Sequence, residues 1–65
     1  MDKNNKNGWW VRITHQNSEG RTFSYNLYEV ARSAAEAELK AMRRISETFE
    51  GGWTQIEEVY QNDNK

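Results

Sequence analysis

The stretch Gly8-Trp9-Trp10-Val11-Arg12-Ile13-Thr14-His15-Gln16 decides the fold. Trp, Val, Ile and Thr suit a pleated, half-buried surface, so the stretch reads as a strand. Side chains alternate across a strand, which sends Trp9, Val11 and Ile13 to one face and Trp10, Arg12 and Thr14 to the other. The adjacent tryptophans therefore divide, one entering a core and the other leaving it. Alternation fixes their opposition and not which of them is inside; with Trp9 in the core, Trp10 stands on the opposite face beside Arg12.

Working outward, Asn17-Ser18-Glu19-Gly20 reads as a hairpin loop, with Gly20 free to take the positive φ of a tight turn. A second strand follows from Arg21 to about Val30, in which Phe23, Tyr25 and Leu27 share a face opposite Ser24, Asn26 and Tyr28. Ser33-Ala34-Ala35-Glu36 has the spacing of a capping box, where two side chains satisfy backbone donors that the first helical turn leaves free. The helix is expected to run to Glu50 and to end at Gly51. At 100° per residue, Ala34, Ala37, Ala41, Met42, Ile45 and Phe49 gather on one side, with Ala35 and Leu39 at the margin. Glu38 falls inside this apolar arc. Its stem is expected to lie against the alanines while its carboxylate reaches water or a donor near the helix start.

The segment Gly52 to Tyr60 carries two patterns. Its Trp, Thr, Ile, Val and Tyr favour a strand, yet Trp53, Ile56, Val59 and Tyr60 also recur at helical spacing, and Thr54-Gln55-Ile56-Glu57 imitates a second capping box. The strand is preferred, because a helix of under ten residues is marginal and a third strand completes a sheet that a lone hairpin cannot sustain. Alternation fails at Glu57-Glu58, the place for a bulge. The expected fold is α+β, of β-β-α-β order: a three-stranded antiparallel sheet with one helix packed on one face. Residues 8–60 make a single compact domain between disordered tails at 1–7 and 61–65.

Length and composition limit the function. Sixty-five residues allow one small core, and Leu, Ile, Val and Phe supply only ten of them, so the three Trp must carry much of the burial. Cysteine is absent, and the lone imidazole is His15, expected to be an ordinary polar residue near the hairpin. That inventory points to no metal, no cofactor and no catalytic site. No apolar run suits a membrane span or a signal peptide, so the expected setting is the cytoplasm, with no membrane partner. Lys40, Arg43 and Arg44 lie among Glu36, Glu47 and Glu50, which is the pattern of a solvated helix face.

What remains is binding. Trp10, Arg12, Tyr28 and Tyr60 are the candidate partner-binding residues, since exposed aromatics with an Arg make up the composition of interface hot spots. Each also has a structural explanation: Trp10 can shield the sheet by packing on a cross-strand neighbour, and Tyr is a good strand former. The first reading is a non-enzymatic module that binds a protein partner or a second copy of itself, through its open face or the edges of its sheet. The alternative is nucleic-acid binding on the same face, with Trp10 and Tyr28 stacking bases and Arg12 and Arg21 near the backbone. A pI near 5.8 lacks the basic excess of a dedicated nucleic-acid binder.

Phe23-Ser24-Tyr25-Asn26-Leu27, then Ala31-Arg32-Ser33-Ala34-Ala35-Glu36-Ala37, then Gly51-Gly52-Trp53-Thr54-Gln55-Ile56-Glu57-Glu58-Val59 resembles the strand, capped helix and closing Gly-Trp strand of small phage and prophage accessory proteins, a group that includes some anti-CRISPR proteins. The resemblance covers most of the ordered chain and is one of fold-forming residues. It implies a small stoichiometric binder of a host protein and assigns no site residue.

Overall fold

A computed structural model describes residues 7–62. The expected disorder of the two tails falls, for residues 1–6 and 63–65, outside the described residues; Asn7 and Gln61 are the end residues of strands. The elements are β1 (Asn7–Gln16), β2 (Thr22–Ala31), α1 (Ala34–Thr48) and β3 (Trp53–Gln61). The strands form one antiparallel sheet in the order β2-β1-β3, and α1 covers one face of it. This is the β-β-α-β arrangement expected from the sequence.

The first strand is the central one, flanked on both sides and covered by the helix, which is why Val11 and Ile13 are fully buried. They meet Ala37, Ala41 and Ile45 of α1, with Trp9, Tyr25, Leu27, Phe49, Ile56 and Val59 packed around them. The alanines let the helix lie close to the sheet. The apolar stripe of α1 is narrower than expected: Met42 sits at its border, and Leu39 is 69% exposed. Glu38 is half-buried, so it is not a sealed charge in the core. Trp9 is the tryptophan that faces the helix, and its indole N–H donates to the Ala31 carbonyl at 3.0 Å, which satisfies the one polar group the ring brings inside.

Local chemistry sets each boundary. In the hairpin, the Asn17 side-chain oxygen accepts the N–H groups of Glu19 and Arg21, both at 2.9 Å, while Gly20 takes φ +89°. At the helix start, the Ser33 hydroxyl accepts the Glu36 N–H at 3.2 Å, and the Glu36 carboxylate reaches back to the Arg32 N–H at 2.6 Å. The helix stops two residues before the expected Glu50. Phe49 is its C-cap in an extended conformation, and this lets the ring fold under the helix, 4.6 Å from His15 and 5.6 Å from Tyr25. The return to β3 needs Gly52: at φ +78°, a Cβ there would stand 2.0 Å from the Gln16 carbonyl oxygen.

Residues 53–61 are a strand, and the bulge falls where alternation broke. Arg12 pairs with Glu58 but Ile13 with Ile56, leaving Glu57 as the extra residue. The bulge resets the side-chain phase, so that Ile56 and Val59, three residues apart, both pack toward the core. The same reset produced the helix-like spacing in the sequence.

Candidate functional site

The face of the sheet away from α1 collects the even-numbered residues of β1 and β2 and the β3 residues paired with them. Trp10 is central, with Tyr28 opposite it on β2 and Tyr60 opposite it on β3. One row further on, Arg12 lies between Asn26 and Glu58. The four residues singled out in the sequence, Trp10, Arg12, Tyr28 and Tyr60, therefore form one cluster.

Trp10 and Tyr28 meet edge to face with ring centroids 5.1 Å apart, a favoured aromatic geometry. Tyr28 lies across the backbone of Gly8, whose missing side chain makes room for it: a Cβ at Gly8 would be 1.7 Å from the phenolic oxygen. The Trp10 ring is thus partly covered by its neighbour, while Tyr28 and Tyr60 remain 45% and 47% exposed. Arg12 and Glu58 make an exposed ion pair at 3.8 Å, which leaves the middle of the face close to neutral.

Trp53 belongs to the same face and is absent from the set read in the sequence. It pairs with Gln16 at the far end of the sheet, its indole N–H donates to the Gln16 side-chain oxygen, and it is 48% exposed. The signal was available: with one residue bulged at Glu57, Trp53 falls in phase with Gln55 and Tyr60 rather than with Ile56.

The covered face corrects two readings. His15 is not the ordinary polar residue near the hairpin expected from the sequence: it is 2% exposed, stacked on the Phe49 ring, and Nδ1 shares a 2.9 Å hydrogen bond with Thr54 Oγ1 while Nε2 has no partner. Alternation from Ile13 already assigned it to the core side. Arg44 is not merely one cation on a solvated face, since it grips Glu29, a carboxylate 4% exposed, with Nε at 2.8 Å and Nη2 at 3.2 Å. The hydrogen bond and negative charge of Glu29 hold the Arg44 guanidinium above its ordinary range. Lys40 is also engaged, donating to the Val30 carbonyl at 2.6 Å.

Among the described residues, no helix is long and apolar enough to cross a membrane, and no group of three or more acidic or imidazole side chains is placed to hold a metal ion. Comparison with protein-family models, with curated proteins and with solved structures finds no match to this chain, so the reading of the open face rests on its own geometry.

Proposed function

We propose that the chain is a non-enzymatic protein-binding module acting in the cytoplasm, and that it engages its partner through Trp10, Arg12, Tyr28 and Tyr60. The observation that carries this reading is the continuous aromatic row across all three strands, left uncovered by the helix. Rings in such a row offer large contact area with few torsions to immobilise, and Arg12 with Glu58 supplies a polar element of both signs. The reading as a non-enzyme is supported by His15, whose imidazole is shut inside the core and beyond reach of a substrate. A stoichiometric role, as in the phage and mobile-element accessory proteins that the pattern resembles, accords with a domain whose exposed face offers rings for contact.

The nucleic-acid alternative has less support. Arg12 is held near Glu58, and Glu57 and Glu58 place negative charge on the strand that carries Tyr60, against a phosphate backbone. The test is affinity capture on immobilised wild type and Tyr60→Ala, with circular dichroism showing equal folding. A partner held by wild type and lost by the variant supports the proposal. Equal retention by both, or oligonucleotide binding at low salt that collapses as salt rises, overturns it.

A further inference from the structure

The two outer strands have very different free edges. In an antiparallel ladder each residue directs its N–H and C=O to the same neighbour, and successive residues alternate sides. The Asn62 N–H donates to the Gly8 carbonyl at 2.8 Å on the β3 side, so the even-numbered residues of β1 bond toward β3 and the odd-numbered ones toward β2. The β2 residues that bond back are the odd-numbered ones opposite them. Thr22, Ser24, Asn26, Tyr28 and Val30 therefore point their backbone groups outward.

β3 protects its outer edge. It carries the bulge at Glu57 and two adjacent carboxylates, both recognised means of discouraging further pairing. β2 has neither. Its ten residues pair with β1 without a register shift, and Thr22-Phe23-Ser24-Tyr25-Asn26-Leu27-Tyr28 contains no charge, proline or glycine. The single charged residue of β2, Glu29, is turned inward to Arg44. At the far end, Lys40 occupies the outward Val30 carbonyl. The open edge thus runs from Thr22 to Tyr28 and stops.

We infer that this edge pairs with the same edge of a second copy, antiparallel, about a two-fold axis at Tyr25. The register follows from the ends of the free edge. A segment from Thr22 to Tyr28 is centred on Tyr25, so Ser24 faces Asn26 of the second copy and Thr22 faces Tyr28, each pair exchanging N–H to C=O bonds. A register centred on Asn26 would need Val30, whose carbonyl is already engaged. The chosen register also sets Phe23, 37% exposed on the helix side, opposite Leu27 of the second copy, and brings the two Tyr25 residues together as a cross-strand aromatic pair. Both helices then lie on one side of a continuous sheet and both aromatic rows on the other. The pairing uses the edge and not the open face, so it stands independently of the partner proposed for that face.

The experiment combines sedimentation with amide hydrogen exchange on the wild-type chain. A dimer is expected below roughly millimolar concentration, in which the amides of Thr22, Ser24, Asn26 and Tyr28 exchange at least about tenfold more slowly than in dilute monomer while those of Thr54 and Val59 are unchanged. The double variant Ser24→Asp/Asn26→Asp places carboxylates opposite one another across the axis on exposed positions, and its dimer should weaken at least tenfold. Mixing it with Ser24→Lys/Asn26→Lys should restore a heterodimer. A monomer at millimolar concentration, a dimer without protection at those four amides, or a mixture that fails to pair overturns the inference; Trp10→Ala should leave the dimer intact.

Discussion

The helix-covered and open faces of the sheet grow from the same three strands, and they handle polar and aromatic groups in opposite ways. On the covered face three polar side chains are hydrogen-bonded: Trp9 to the Ala31 carbonyl, Glu29 to Arg44, His15 to Thr54. On the open face the large rings of Tyr28, Trp53 and Tyr60 stand about half exposed. The difference shows that this small domain spends its limited apolar material on both sides of one sheet. The covered side must then accept an imidazole and a carboxylate at positions that a larger protein fills with Leu or Ile.

The adjacent tryptophans give the severest test of that contrast. Trp9→Ala should remove core packing together with an indole hydrogen bond, at about 3–5 kcal/mol, which matches everything a core of this size supplies. Loss of the native circular dichroism at 25 °C is the expected result, and a cooperative melt retained within a few degrees of wild type would break the comparison. Thr54→Val comes next. It leaves the His15 ring with no hydrogen bond at either nitrogen, for a destabilisation of about 1–3 kcal/mol read from urea unfolding. An unchanged midpoint would mean that water reaches the imidazole and that the covered face is less sealed than its exposure indicates.

On the open face the effects should be smaller for folding and larger for binding. Trp10→Ala forfeits the edge-to-face contact with Tyr28, about 1 kcal/mol of stability, but should weaken a partner by about 2 kcal/mol or more in a titration. A loss of stability as great as that of Trp9→Ala would make Trp10 a core residue in all but position. Gly8→Ala should cost no more than the aromatic contact it displaces, up to about 1 kcal/mol in a thermal melt. The new methyl takes the place of the Tyr28 hydroxyl end, so the ring must swing away and the near-ultraviolet dichroism of the Trp10–Tyr28 pair should change. An unchanged spectrum would show that Tyr28 does not depend on Gly8 for its position.

Much of this was legible because strand alternation is a local rule. Once Trp9 is inside, Val11 and Ile13 must follow and Trp10 and Arg12 must leave, and the capping box at Ser33 placed the start of the helix to the residue. The remainder depended on distance along the chain. Nothing near His15 shows that Phe49 will stack on it, because that contact requires the helix to end early and the chain to turn under itself. Glu29 becomes tolerable only through Arg44, fifteen residues away. Trp53 could be read only by carrying its phase across the bulge at Glu57 to Tyr60. The candidate set of Trp10, Arg12, Tyr28 and Tyr60 was readable as chemistry, and its convergence into one cluster needed the register of both strand pairs.

The extra residue at Glu57 has a further meaning in the language of polymer growth. A building block with one reactive end can only form closed pairs, whereas one with two reactive ends grows without limit, and a three-stranded sheet has two edges by construction. By kinking β3 and crowding it with carboxylates, the bulge caps one of them. Deleting Glu57 would restore strict alternation and straighten that edge while keeping the flanking apolar positions, converting the proposed dimer-former into a bifunctional unit whose natural product is a fibre. If the edge pairing proposed above holds, a single residue that looks like an irregularity in the strand sets the boundary between finite assembly and open-ended aggregation.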